Sequence, residues 1–211
     1  MKRPLYFIIA ILSLVTFDCR AISPREAFVN APGEIFTTLD SISRLDMIDY
    51  FEAGSGGTSR NALGGNARIL ALDDNHIGVL TSGSSAVDIY LLSAGKDTTI
   101  AVVSTLRLPA TDSAVSFYDK AWKPINVKKI PASFNNIDLW LKPGISNEER
   151  SRIENLVPFI PAYITIENNT LNVAHKIDSI VPKEDFKTIS ALIIPAIAYK
   201  WNGKIWAPVK K

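Results

Sequence analysis

An α+β fold, with antiparallel sheets each covered by a helix, is what this sequence predicts. Three observations carry it: capping boxes that open short helices, alternating β-branched runs broken by tight turns, and runs too closely spaced to hold helices between them. Strands that follow one another through short turns pair antiparallel.

The first segment is one of processing. Lys2 and Arg3 precede the apolar run Leu5 to Phe17, which gives the charged and hydrophobic regions of a secretory signal peptide. The run is too short to span a hydrocarbon core of roughly 30 Å, which takes about 20 apolar residues. Cleavage after Cys19-Arg20-Ala21 is favoured, with small residues two apart; lipid anchoring at Cys19 is the rival, weakened by Phe17 and Asp18 where small residues are wanted. Removing 21 of the 211 residues leaves 190 and no cysteine, so disulfides, thiol catalysis and thiolate metal sites drop out together. The expected location is extracytoplasmic, periplasmic or secreted.

With 47% hydrophobic residues, the remaining length supports one or two modest cores. A formal net charge of +2, from 23 basic and 21 acidic residues, is no electrostatic footprint for nucleic acid. After the signal no apolar run is long enough for a membrane span.

Ser23-Pro24-Arg25-Glu26 has the form of a capping box with proline at the first helical position, so a helix is expected from Pro24 to about Ala31, ended by Pro32-Gly33. Asp40 or Ser41 caps a second helix, whose apolar face is expected to hold Ile42, Leu45, Ile48 and Phe51, with Met47 beside them. A Gly-rich connection from Gly54 to Gly65 reads as a flexible linker. Strands are then expected over 67–72, 76–82, 86–92, 98–108 and 113–118, with turns at Asp73-Asp74-Asn75 and Ala94-Gly95-Lys96-Asp97.

Ser146-Asn147-Glu148-Glu149 is a second capping box, opening a helix with Ile153, Leu156 and Val157 on one side. Strands over 163–167 and 171–176 flank Asn168-Asn169, and a last hairpin joins 192–201 to 204–209 around Asn202-Gly203. Three units follow: a signal over 1–21, a first α+β unit over 22–142 with the N-terminal helices, and a smaller α+β unit over 143–211. The two units read as diverged copies, each closing on Trp-x-Pro at Trp122-Lys123-Pro124 and Trp206-Ala207-Pro208.

Candidate chemistry is sparse. Asp73-Asp74-Asn75-His76 gathers ligand types, but consecutive residues in a tight turn rarely converge on one ion, and the turn reading is favoured. His175, at the end of a strand with no carboxylate partner in its local pattern, reads as a packed or solvated imidazole. Gly54-Ser55-Gly56-Gly57-Thr58 lacks the Gly-Lys-Ser/Thr end of a phosphate loop. No nucleophile elbow or metalloprotease motif occurs, and no cofactor is implied. The aromatic residues Trp122, Tyr199, Trp201 and Trp206 are the first choice for a recognition surface, because a five-residue offset across the last hairpin brings Trp201 and Trp206 together.

Ser43-Arg44-Leu45-Asp46-Met47-Ile48-Asp49-Tyr50-Phe51-Glu52-Ala53-Gly54, Leu63-Gly64-Gly65 and Trp122-Lys123-Pro124 resemble a family of exported Bacteroidales proteins catalogued as domain of unknown function 3256. The resemblance covers nearly the whole mature chain, implies export, and brings no activity or catalytic residue. For that bacterial group it also implies O-glycosylation at Asp-Ser/Thr sites, of which Asp40-Ser41, Asp97-Thr98, Asp112-Ser113 and Asp178-Ser179 have the form. The helix-then-sheet unit is similar to tandem β-lactamase-inhibitor-like and PepSY-type modules. The leading expectation is a non-enzymatic binding module engaging a macromolecule of the cell envelope, protein or glycan, as an inhibitor or assembly factor. The alternative is an envelope hydrolase on peptide or glycan that uses scattered groups such as Asp73, Asp74 and His76.

Overall fold

The computed structural model describes residues 21–95 and 97–209; the signal segment with Cys19 and the turn residue Lys96 lie outside the described residues. Helices α1 (Pro24–Asn30) and α2 (Ser41–Glu52) lead into strands β1 (Thr58–Arg60), β2 (Asn66–Leu72), β3 (His76–Leu80), β4 (Ser85–Ala94), β5 (Asp97–Leu106) and β6 (Asp112–Tyr118). These six form one antiparallel sheet in sequence order. Helix α3 (Asn147–Leu156), strands β7 (Ala162–Glu167) and β8 (Thr170–His175), helix α4 (Lys183–Ser190) and strands β9 (Ala196–Trp201) and β10 (Trp206–Pro208) complete the chain, with a four-stranded sheet in the order β10-β9-β8-β7. The fold is therefore α+β with two open antiparallel sheets.

Both capping boxes close. The Ser23 hydroxyl accepts from the Glu26 amide at 3.2 Å while the Glu26 carboxylate accepts from the Ser23 amide at 2.8 Å, and Ser146 and Glu149 repeat this at 3.2 and 2.9 Å. At α2 the cap is Asp40, whose Oδ1 accepts from the Ser43 amide at 2.7 Å; that bond holds its carboxyl below the usual carboxylate range.

The buried face of α2 differs from the expected one. Ile42 is 72% exposed and Leu45 49%, whereas Arg44, Met47 and Ile48 are buried and Phe51 half-buried, a stripe at i, i+3, i+4 and i+7. The helix is rotated because Arg44 belongs inside. Its Nη1 donates to the carbonyls of Phe28 and Ala31 at the end of α1, each at 2.8 Å, where the Phe28 carbonyl otherwise has only the Ala31 amide at 3.4 Å, and its guanidinium lies 5.3 Å from the Phe36 ring centre. A charge in the middle of an apolar stripe hides the stripe from a hydrophobic-periodicity reading.

The Gly-rich connection is also more than a linker. Gly57 has φ of +55°, and a Cβ there would stand 2.8 Å from Phe51 Cβ and 2.9 Å from the Met47 carbonyl oxygen. The absent side chain lets β1 start against α2. Two further elements had no signal: β1 is only three residues long, and α4 starts after Pro182 with no side-chain cap.

Alternation along β4 and β5 divides the interior. Val87, Ile89 and Leu91, with Ile100 and Val102, face α1 and α2. Leu92, Ala101 and Val103, with Phe117 of β6, face the inner side of the second sheet, where Ile164, Ile166, Leu171, Val173 and Trp206 meet them. Helices, six-stranded sheet and four-stranded sheet are thus three successive layers. The Asp112 carboxylate closes the seam by accepting from the Ala162 amide at 2.9 Å, on the free edge of β7.

Arg44→Ala leaves the buried Ala31 carbonyl without its donor and the Phe28 carbonyl with only the long bond from the Ala31 amide, and is expected to destabilise the fold by roughly 3 kcal/mol, read from urea unfolding. Arg44→Met, which keeps the packed stem and loses the hydrogen bonds, should restore only a minor part.

Candidate functional site

The second sheet is too narrow to cover the face it packs on. The first-sheet residues that enter the shared core come from β4, β5 and β6, so the same face of β3 and the adjoining part of β4 stay open. Along this strip the polar residues gather. Pairing sets His76 opposite Tyr90 and Gly78 opposite Asp88, so all four positions share one face.

Gly78 makes the arrangement possible. A Cβ there would lie 2.7 Å from Asp88 Oδ1 and 3.3 Å from His76 Cε1. With only hydrogen in that place, the imidazole lies diagonally over the strand. Its Nε2 meets Asp88 Oδ1 at 2.8 Å, and its ring stacks on Tyr90 with centres 4.3 Å apart and planes 13° from parallel. On the other side of the ring, Nδ1 is 3.9 Å from Asp73 Oδ2. Tyr90 reaches across to the backbone of Ile166 on β7; burial, reinforced by the Asp88 carboxylate, pushes its hydroxyl pKa up, so it stays protonated at neutral pH.

Two clefts flank this hydrogen bond. The larger, about 660 Å³, is lined by Asp73, His76 and Tyr90 on one side and by Thr165, Glu167 and the Asn168-Asn169 turn on the other. The smaller, about 310 Å³, is lined by Asp88, Thr105, Arg107, Tyr163 and Lys176. The His76–Asp88 hydrogen bond therefore joins a residue of one cleft to a residue of the next.

The turn reading of Asp73-Asp74-Asn75 holds: the Asn75 amide donates to Asp73 Oδ1 at 2.8 Å and the Asp73 amide to the His76 carbonyl at 2.9 Å. The missed partner is Asp88, twelve residues away and adjacent only through strand pairing. Its signal was the interruption of β3 and β4, central strands whose apolar positions 77, 79, 87, 89 and 91 alternate with His76, Gly78, Asp88 and Tyr90. Among the described residues no group of three or more His, Cys, Asp or Glu is placed to hold a metal ion.

The four expected recognition residues lie elsewhere. Trp201 and Trp206 do meet, 5.3 Å between ring centres, but with Tyr199 they are buried on the inner face of the second sheet. Trp201 Nε1 donates to the Ser93 carbonyl at 2.9 Å, Phe117 packs 6.0 Å from Trp206, and Phe134 packs 6.1 Å from Tyr199. Trp122 is half-buried against the helix-side core, beside Tyr118. All four pack; none of them lines the two clefts. The two Trp-x-Pro segments also differ in setting: Trp122 sits in a turn with φ of +61°, Trp206 in a strand.

His175 is a packed imidazole, edge-on to Trp140 at 5.4 Å. Burial lowers its pKa from 6.5. Of the sites with the form for O-glycosylation, Ser41 and Ser179 are exposed, while Thr98 and Ser113 are half-buried.

Two outcomes are expected. Gly78→Ala should break the His76–Asp88 hydrogen bond while the sheet remains, seen as a change in the His76 ring nitrogen resonances with little loss of circular dichroism. For His175, the unfolded chain takes up a proton at a higher pH than the folded one, so its contribution is intact above about pH 6.5 and is lost as pH falls below that value. Denaturant midpoints measured from pH 7.5 down to 5 should fall less in His175→Phe than in the parent chain.

Comparison with known proteins adds the family and the fold. No curated protein matches the chain. A solved structure, a domain of an uncharacterized protein from Porphyromonas gingivalis W83, is similar with a TM-score of 0.74 and 19% identity, over 89% of this chain and 98% of that one. At that identity the likeness shows the fold alone. A family model described as "Protein of unknown function (DUF3256)" matches residues 16–206, almost the whole of the sequence, and the chain belongs to that family.

Proposed function

We propose that this protein is an exported binding module whose ligand lies in the groove between the open strip of the six-stranded sheet and β7. The carrying observation is that the face left uncovered by the second sheet holds a positioned polar set, His76, Asp88 and Tyr90, between two clefts. A sheet face that served packing alone would carry apolar residues there, as the opposite face of the same strands does. Export is supported by the signal pattern at Lys2 to Phe17. The ligand is a polar component of the cell envelope.

A hydrolase is the second reading, favoured by the 2.8 Å hydrogen bond that fixes the His76 ring on Asp88 inside a concave site. An oriented imidazole of this kind serves as a general base when a water or hydroxyl lies at its free nitrogen. Breakdown of a retained ligand, abolished by His76→Ala, would put this reading ahead.

The test is retention of small components from a cell-envelope digest by the purified protein, followed by mass spectrometry and by chemical-shift mapping of the complex. Thr165→Arg, which fills the larger cleft, should lower retention more than tenfold. Asp46→Arg, exposed on α2 beyond the opposite face of the sheet, should leave it unchanged. Equal retention by both variants would place the ligand elsewhere and overturn the groove.

A further inference from the structure

The groove is polarised along its length. Its floor follows β4, whose residues Ala86 and Asp88 line the smaller cleft and whose Tyr90 and Leu92 line the larger. Its wall follows β7 from Tyr163 to Glu167 in the same direction. Strand geometry gives the wall about 13 Å and the floor about 20 Å, at roughly 3.3 Å per residue.

At one end stand two cations. Arg107 and Lys176 line the smaller cleft, and neither makes an ion pair or a side-chain hydrogen bond among the described residues. Lys176 rests its ammonium over the Tyr163 ring, 5.6 Å from the centre. The one carboxylate lining that cleft, Asp88, has its Oδ1 engaged by His76. At the other end stand Asp73 and Glu167, with no lysine or arginine within ion-pair distance of either among the described residues; the Lys200 ammonium at the adjoining turn donates to the Asn168 carbonyl at 2.5 Å and to Thr170 Oγ1 at 3.3 Å. Unmatched charges of one sign in a concave site focus the field on a ligand group of the other sign.

We infer that the groove takes a short extended peptide with both termini free, its terminal carboxylate between Arg107 and Lys176 and its amino group between Asp73 and Glu167. This inference rests on the groove being the binding site. Four to six extended residues match the span of about 13 to 20 Å. The chain crosses the stacked His76–Tyr90 pair at the middle, with Thr165 and the Asn168-Asn169 turn beside it as hydrogen-bonding groups for its amides. A neutral glycan would leave all four charged groups unmatched, and a polyanion would meet the carboxylates of the acidic end.

The experiment uses the purified protein and an equimolar pentapeptide library, in three forms: free termini, amino-acetylated, and carboxyl-amidated. Ultrafiltration and mass spectrometry read retention, and calorimetric titration follows with the best-retained pentapeptide. Amidation and acetylation are each expected to weaken binding about tenfold, the loss for one charge-assisted hydrogen bond. Arg107→Gln and Lys176→Gln should each weaken the free-acid peptide about tenfold and leave its amide unaffected, a pattern that general destabilisation does not produce. Equal binding of the free and amidated peptides, or an equal effect of the variants on both, overturns the assignment of termini and leaves the binding reading standing. Retention of neutral glycans in place of peptides overturns the peptide and likewise leaves that reading. Retention of neither, with no shift at His76 or Tyr90, overturns both.

Discussion

The rest of the structure depends on the two-sided burial of the six-stranded sheet. Strand β4 has apolar residues at both parities near its C-terminal end, where Leu91 faces the helices and Leu92 the second sheet. A strand of that kind is stable only when something covers each face. The N-terminal helices take one side and the later residues of the chain take the other. The second sheet is thus bound to the first through a common core, tied also by the Trp201 to Ser93 and Ala162 to Asp112 hydrogen bonds.

Four strands cannot cover six. Only β4, β5 and β6 of the first sheet enter the shared core, and with neighbouring strands roughly 4.8 Å apart, β1 to β3 leave a strip more than about 10 Å wide. On that strip an apolar residue would gain nothing, and the chain there carries His76, Gly78 and Asp88. The same mismatch in sheet width that limits the core therefore creates the groove. Tyr90 stands at the boundary, its ring packed on the shared core and its hydroxyl directed to the edge of β7. A residue with an apolar body and a polar tip suits that position.

The aromatic residues illustrate how one physical property supports two readings. Trp201 and Trp206 are paired by the last hairpin as their spacing requires, and large paired rings serve equally as a recognition platform or as core filling. Their side of the sheet decides, and it is the inner one. The smaller polar groups that pairing brings together, His76, Asp88 and Tyr90, stand instead beside the clefts. Arg44 is the corresponding case in the helical layer. It is the one basic residue of the Arg-Leu-Asp-Met-Ile-Asp-Tyr run, and its work is to close the end of α1 from within.

Much of the fold was legible because its signals are local. A capping box needs four consecutive residues, an alternating strand five or six, and a turn such as Asn168-Asn169 two residues that tolerate positive φ; all were found close to where the sequence put them. Elements with weak local signals, the three-residue β1 and the uncapped α4, were not. The sequence by itself determined the α+β class, the starts of α1, α2 and α3, the strand order within each hairpin and the family. Only the tertiary structure decided the rotation of α2, the inward side of the tryptophans and the meeting of His76 with Asp88. Those depend on which face of an element is covered and on residues twelve to more than a hundred positions apart becoming neighbours, and neither is carried by any short stretch of chain.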